Sequence, residues 1–293
     1  MIQKLSHRAL RHLQYWCRGL CVAALAWLAT GATALACDNL RDISAMPETV
    51  SHIRISSTQD QGQAGILFGG GFDAPTRRYP HGVLGDTVEA GALIANIGFD
   101  DGRCNTVRLN LPQTDVFEDT QPRFYDLNRD GSLDIITVQS SATQGARLVV
   151  YGATPDRTGL MLYAATPPIG RPNRWLAPIG VADFDGDGFI EIAYIDRPHL
   201  ARTLRVWRVT PDASGQIALS EIAHLSGLTN HRIGQDFITG GVRYCGGTQE
   251  MITADADWSH VMATRLGTDG VLTSRPLAPF SPSAVARALG CGF

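Results

Sequence analysis

The chain has 293 residues, of which 44% are hydrophobic and 18% are charged, and its formal net charge is −3. A chain of this length can bury a sizeable core and forms a single domain if it is all-β. The excess of acidic over basic residues argues against nucleic acid or an anionic membrane as a partner.

Residues 1–36 have the features of a secretory signal peptide. Their basic region contains no acidic residue, and residues 19–29 form an apolar run that is too short to cross a bilayer. Ala34 and Ala36 frame a small-residue cleavage site. The sequence therefore predicts a periplasmic or secreted protein of residues 37–293 without a transmembrane span. This mature chain has 21 basic and 28 acidic residues, which gives a formal charge of −7.

Four cysteines follow residue 36, namely Cys37, Cys104, Cys245 and Cys291. An even number in an oxidising compartment predicts two disulfides. We expect Cys245 to pair with Cys291 and Cys37 with Cys104, and the alternative pairs Cys37 with Cys291. Anchoring as a lipoprotein through Cys37 is less favoured. Ala34 stands where such a signal usually has leucine, and lipidation would leave one thiol unpaired.

Short apolar or alternating runs, separated by Gly, Pro, Asp and Asn, predict a sheet-rich chain. The predicted strands are Gly65–Phe68, Ala92–Ile97, Thr106–Leu111, Asp134–Val138, Arg147–Tyr151, Met161–Ala164, Glu191–Ile195, Thr203–Val209, Ile217–Ile222, Glu250–Ala254, Val261–Arg265 and Val271–Arg275. Only Ser281–Leu289 has the pattern of a helix, and Ser281 or Ser283 is its expected cap.

Two loops carry oxygen-bearing side chains in a shared frame, and we call them the first acidic loop (residues 126–134) and the second acidic loop (residues 183–191). These side chains stand at relative positions 1, 3, 5 and 9, and a glycine stands at position 6 in each loop. Oxygen atoms in a flexible turn are the ligands that Ca²⁺ selects, and the carbonyl at position 7 adds another. The predicted ligands are Asp126, Asn128, Asp130, Ser132 and Asp134 in the first loop, and Asp183, Asp185, Asp187, Phe189 and Glu191 in the second.

The alternative is a metal-free turn, in which closely spaced carboxylates would repel one another. We therefore expect two bound calcium ions, and we favour the second acidic loop because it has more carboxylates. An EF-hand is excluded because position 12 is Thr137 or Tyr194 rather than an acid, and because a β-rich run follows each loop.

Weaker copies of the same frame occur at residues 242–250 and 85–93, where the trailing strand is kept and most ligands are lost. A repeat of about 58 residues suits one four-stranded blade of a β-propeller. Division of the mature length by this period gives four to five blades. The sequence thus predicts a single small all-β propeller over residues 37–293.

The repeated pattern D-x-[DN]-x-D-G-x-x-[DE] before a β-strand resembles the FG-GAP or VCBS repeats of integrin-α-type β-propellers. The segments "NRWLAPIGVADFDGDG" and "GLTNHRIGQDFITGG" resemble a bacterial exported VCBS-repeat family that has no assigned activity. The resemblance implies a propeller fold in which calcium is structural. Integrin-type heads have seven blades, which is more than this chain has room for.

Polar and aromatic residues recur just before the predicted inner strands, where successive blades of a propeller approach one axis. The candidate ligand-binding residues are Arg78, His81, Arg123, Arg174, Trp175, His231 and Arg232. Guanidinium groups suit carboxylates, so we expect an anionic ligand such as an acidic glycan or a carboxylate-bearing protein. The alternative is that these side chains are used internally, by acids such as Glu118, Asp119 and Asp236.

The main functional hypothesis is a monomeric, non-catalytic binding or adhesion module, because motif signatures of catalysis are missing from the sequence. The second is a carbohydrate-active hydrolase or lyase, which convergence of Asp119, His231 and Asp236 would favour. The third is a structural subunit of a cell-envelope complex, which an exposed apolar blade edge would favour.

Overall fold

The computed structural model describes residues 56–57, 65–99, 102–213 and 215–293. The predicted signal peptide and Cys37 lie outside these residues. The described part is almost entirely β-structure, which confirms the predicted all-β fold. Its elements are β1 (Ser56–Ser57), β2 (Ile66–Thr76), β3 (Glu89–Gly98), β4 (Cys104–Asn110), β5 (Asp115–Phe117), β6 (Arg123–Tyr125), β7 (Asp134–Ser141), β8 (Gly145–Ala153), β9 (Leu160–Ala165), β10 (Leu176–Ala182), β11 (Ile190–Asp196), β12 (Thr203–Pro211), β13 (Ile217–Ser226), β14 (Leu228–Thr229), β15 (Gly241–Cys245), β16 (Thr248–Asp255), β17 (His260–Leu266), β18 (Leu272–Pro279) and α1 (Pro282–Leu289).

Antiparallel pairing arranges these strands into four successive four-stranded units. The first unit is β1 to β4, the second β6 to β9, the third β10 to β13 and the fourth β15 to β18. Strand β5 pairs with both β3 and β7, and it joins the first two units into one nine-stranded sheet. The described residues thus contain four such units, and the number of propeller blades, four or five, stays a prediction.

Apolar layers hold successive units together. Strand β11 is buried along its whole length, and its alternate side chains serve two layers. Ile192 and Tyr194 face the layer shared with the second unit, whereas Ala193 and Ile195 face the layer shared with the fourth. The period of two in a strand explains this division. A third layer, around Phe117, joins the first and second units.

Helix α1 covers part of the outward face of the fourth unit. Its residues Ala284 and Ala288 pack on β16 and β17. Ser281 is the N-cap, and its hydroxyl accepts a hydrogen bond from the amide of Ala284 at 3.1 Å, as the sequence predicts. Among the described helices, none has the length and apolar composition to span a membrane.

A disulfide joins Cys245, at the end of β15, to Cys291, just after α1, which confirms the predicted pair. It fixes the end of the helix against the fourth unit. Cys104 is also disulfide-bonded, and its predicted partner, Cys37, lies outside the described residues.

Loops of the first and fourth units meet at one end of the sheets. The amide of Gly234 donates to the carbonyl of Val83 at 2.9 Å. A side chain at Gly85 would collide with the carbonyl of Gly234, and the φ of +101° at Gly85 also favours glycine. This close backbone approach brings residues 77–88 and 230–240 together beside the third unit.

Candidate functional site

The first acidic loop connects β6 to β7, and its carboxylates organise the turn through backbone amides. Asp126 accepts hydrogen bonds from the amides of Asp130 and Gly131, each at 3.0 Å. Asp134 is buried and accepts from the amide of Leu127 at 2.9 Å. Burial raises the pKa of Asp134 to about 7, and the neighbouring carboxylates of Asp130 and Asp126 add to the shift. Within the described residues, no arginine forms an ion pair with these three carboxylates.

The second acidic loop connects β10 to β11 and repeats the same turn. Asp183 accepts from the amides of Gly186 at 2.8 Å and Gly188 at 2.9 Å. Glu191 accepts from the amide of Phe184 at 2.9 Å, in the place that Asp134 takes in the first loop. Carboxylate oxygens of the three aspartates in this loop lie within 4.8 Å of one another, close enough to share a cation.

Arg208 distinguishes the second loop from the first. This residue lies on β12 directly opposite Glu191 in the antiparallel register. Its guanidinium contacts Asp185 Oδ2 at 2.7 Å, Asp187 Oδ2 at 2.8 Å and Glu191 Oε1 at 2.8 Å. Residue spacing along the chain gave no signal for Arg208, because the pairing of β11 with β12 brings it to the loop.

The two loops therefore differ in how well they fit calcium. In the first, the oxygens of Asp126, Asn128, Asp130 and Asp134 are hard ligands that form no ion pair among the described residues, although its three carboxylates do not converge within 4.8 Å as the aspartates of the second loop do. In the second, Arg208 already takes one oxygen from each of three predicted ligands, so an ion would have to share these carboxylates with a guanidinium. The backbone carbonyls of Ser132 and Phe189 remain predicted ligands only.

A second candidate site is a cavity of about 240 Å³, which we call the cleft. It lies where loops of the first, third and fourth units meet. Its lining combines cationic and apolar side chains from His81, Val83, Asn173, Arg174, Trp175, Arg197, His199, Leu200 and Ile233. His81, Arg174 and Trp175 belong to the predicted ligand-binding set, whereas Arg197 and His199 do not.

A buried carboxylate orients His81. Glu118 has no exposed surface, and its Oε1 lies 2.5 Å from His81 Nδ1, which donates to it. The hydroxyl of Ser140 also donates to Glu118, and the indole of Trp175 donates to the backbone carbonyl of Glu118 at 2.7 Å. The ring nitrogen Nε2 of His81 has no hydrogen bond to any described residue and is left for a ligand.

His199 and His231 form a pair whose tautomer follows from its partners. His231 Nε2 lies 2.9 Å from the carbonyl of Gln235, which can only accept, so this nitrogen carries the proton. His231 Nδ1 then accepts from His199 Nε2 at 3.0 Å. Burial lowers the pKa of both rings, to about 4 for His199, where the nearby His231 adds to the shift. Both histidines are neutral at pH 7.

His231 itself does not line the cleft. It is 1% exposed, and its ring packs on Trp175 with centroids 4.8 Å apart. His231 therefore positions His199 and Trp175 instead of contacting a ligand directly. Residue spacing along the chain gave no signal for His199.

Three predicted ligand-binding arginines lie elsewhere. Arg78 Nε donates to the carbonyl of Asp115 at 2.9 Å, and Arg123 forms an ion pair with Asp119 at 2.7 Å. Arg232 stacks on Trp258 with its guanidinium 4.3 Å from the ring centroid. Contacts within the protein hold these three guanidinium groups, so fewer of the predicted ligand-binding residues line the cleft than expected.

The arrangement that would favour a hydrolase is not observed among the described residues. Asp119 is engaged by Arg123 and by the hydroxyl of Thr137 at 3.3 Å, whereas His231 is engaged by His199 and Gln235. Asp236 lines a separate hollow beside Arg123. The convergence of Asp119, His231 and Asp236 that would favour a hydrolase is therefore not found among the described residues.

A larger groove of about 670 Å³ borders the fourth unit next to α1. Arg243 and Arg275 both line it, and both form ion pairs with Glu250. Arg243 also donates to the carbonyl of Ala288 at 2.8 Å. These contacts use the two guanidinium groups to hold β15, β16, β18 and α1 together, so we assign the groove a structural role.

Comparison with known proteins gives one family match. Residues 126–194, which include both acidic loops, match the family model described as "FG-GAP-like repeat". No curated protein matches the sequence. A solved structure of a protein from Lactobacillus plantarum is similar with 10% identity and a TM-score of 0.38, over 78% of this chain and 69% of that chain. The chain carries an FG-GAP-like repeat, set in an all-β fold of the propeller type.

Proposed function

We propose that the protein is an exported, non-catalytic binding module whose ligand enters the cleft. The observation that carries this proposal is the convergence of four loop segments on one cavity with cationic and apolar walls. Arg174 has no carboxylate partner among the described residues, and His81 offers Nε2. An anionic group is the ligand chemistry that this pair recognises.

The rim of the cleft adds an apolar component to recognition. Leu200 is 63% exposed and Ile233 is 71% exposed, and both line the cavity. Exposed large apolar side chains beside a charged cavity are typical of interaction sites. The ligand that fits is an anionic group attached to an apolar body, such as a carboxylate on a protein surface or an acidic glycan with a hydrophobic ring face.

The proposal includes calcium as a structural ion in the first acidic loop. Bound there, the ion would offset the repulsion among three carboxylates and fix the turn between β6 and β7. Export to the periplasm or beyond is supported by the predicted signal peptide and by the disulfide between Cys245 and Cys291. A monomer remains our expectation.

One observation favours the alternative of a carbohydrate-active enzyme. The hydrogen bond from His81 to buried Glu118 orients an imidazole toward a cavity, as general acid–base catalysis requires. This alternative predicts that His81→Gln loses turnover of an acidic oligosaccharide while binding is kept. A binding module predicts that no turnover is detected with the wild type.

The test is a binding comparison on an array of acidic and neutral oligosaccharides and carboxylated peptides. We expect the wild type to bind acidic probes, and the His81→Ala/Arg174→Ala double variant to lose at least tenfold in affinity. Arg171→Ala is the matched control, because Arg171 is exposed nearby but does not line the cleft. Affinity that survives in the double variant would place the site elsewhere.

A further inference from the structure

We infer that Arg208 is the resident cation of the second acidic loop, so that calcium binds to the first loop alone. The spacing of acids in the two loops is nearly the same, and the sequence alone predicts an ion in each. The two loops differ in their contacts with Arg208, which are made by the second loop. The part of this inference that concerns the first loop rests on the proposed structural calcium, whereas the part that concerns Arg208 does not.

The carboxylate oxygens of the second loop are all engaged by donors of the protein. Arg208 contacts three of them, on Asp185, Asp187 and Glu191. The remaining oxygens of these residues and both oxygens of Asp183 accept from backbone amides. Calcium would have to displace the guanidinium or sit beside it, and two cations at such a distance repel each other.

The position of Arg208 beside the loop is fixed by strand pairing. Its position opposite Glu191 is set by the pairing of β11 with β12, and its side chain is 22% exposed. The guanidinium also lies over the ring of Phe189, 5.4 Å from its centroid. A planar fork with several donors can hold several carboxylates at once, which a lysine ammonium does less well.

A second guanidinium reaches the same loop from its neighbour. Arg129, within the first acidic loop, donates from Nη2 to the carbonyl of Gly188 at 2.6 Å. The second loop therefore receives positive charge from two sides. The arginine of the first loop thus contacts the second loop, and no guanidinium forms an ion pair with Asp126, Asp130 or Asp134 among the described residues. The second loop therefore has its cation within the protein, whereas the first loop has none on its carboxylates.

The test is calcium titration by isothermal calorimetry on the full mature chain. We expect one calcium ion per wild-type chain and none for Asp126→Ala. Arg208→Gln should gain a second binding event, because it frees three carboxylates while it keeps most of the side-chain volume. Arg205→Gln is the matched control on the same strand, since Arg205 pairs with Asp196 and Glu221 and not with the loop.

Asp187→Asn keeps the inference testable if Arg208→Gln fails to fold. It should leave calcium stoichiometry at the wild-type value, because the second loop holds no ion to lose. Two ions in the wild type, one of them lost in Asp187→Asn, would overturn the assignment of Arg208. No calcium in the wild type but one ion in Arg208→Gln would support the resident cation and reject the proposed calcium in the first loop.

Discussion

The first and second acidic loops have the same turn and a different source of positive charge. In both, the residue at position 1 accepts two loop amides, and the acid at position 9 accepts the amide of position 2. Among the described residues, only the second has a guanidinium on its carboxylates. The same spacing of acids therefore gives the same turn, whereas a residue on the neighbouring strand sets which cation its carboxylates meet.

We expect the largest change in stability from Arg208→Ala, which removes the feature that distinguishes the two loops. The substitution leaves three carboxylates without their cation, and the side chains of Glu191 and Asp185 among them are buried. We therefore expect the free energy of unfolding in chelator to fall by about 3 kcal/mol, the lower end for a buried carboxylate that loses its partner. Urea denaturation measures it. Arg205→Ala should cost about 1 kcal/mol or less, because Arg197 still holds Asp196. Equal losses in the two variants would contradict the role given to Arg208.

Removal of calcium should act through the first loop. At calcium concentrations about 100 times Kd, binding to the folded state adds about 2.7 kcal/mol, which chelator abolishes. The Tm should then fall by roughly 5–10 °C in a chain of this size. Thermal scans of Asp126→Ala should show no calcium-dependent shift, whereas scans of Asp187→Asn should keep it. A shift that disappears only in Asp187→Asn would reverse the comparison.

Replacing an aspartate by asparagine in the presence of chelator should change the free energy of unfolding in opposite directions in the two loops. Asp130→Asn reduces repulsion with Asp134 and should stabilise the metal-free protein by about 1 kcal/mol. Asp187→Asn removes a partner of Arg208 and should destabilise it by about the same amount. Chemical denaturation of both variants in one buffer checks the signs, and two changes of the same sign would refute the distinction.

The smallest effect concerns the pH dependence of stability at the cleft. The pKa of His199 is about 4 in the folded protein, below its ordinary value, so the unfolded chain binds more protons between about pH 4 and 6.5. Stability contributed by the neutral ring is present above pH 6.5 and lost as the pH falls toward 4. We expect His199→Gln to show a shallower decrease of Tm across this window, while Arg208 stays charged throughout. An unchanged slope would exclude His199 as a source of acid sensitivity.

Sequence patterns predict the outer strands of each unit and miss several short inner ones. Each predicted run overlaps an observed strand, because alternation over five or more residues is a clear signal. Strand β6 has only the residues Arg123–Tyr125, β10 contains Pro178, and β15 begins at a glycine that follows another glycine. The short length of β6 hides it, although Phe124 and Tyr125 favour a strand, whereas propensity argues against β10 and β15 and pairing with the next strand overrides it.

Site residues could be predicted from the sequence where their contacts lie within a few residues of one another. They could not be predicted where the contacts depend on strand pairing. The amides that Asp126 and Asp183 bind lie three to five residues away, so spacing alone points to the turn. Arg208 lies 17 residues from Glu191 and meets it through strand register. Arg123 was wrongly predicted to bind a ligand, because its guanidinium forms an ion pair with Asp119, only four residues away.

The helix at the end of the fourth unit has a consequence for how such a fold grows. A stack of sheets has an outermost sheet whose open side invites another copy to add on, and repeat proteins need a terminal cap for this reason. Here α1 covers Ile252 and Val261 on that side, and the disulfide at Cys291 keeps it in place. An extra unit inserted before the fourth would leave this cap intact. One appended beyond α1 would meet the helix instead of Ile252 and Val261, so the helix limits growth of the array on this side.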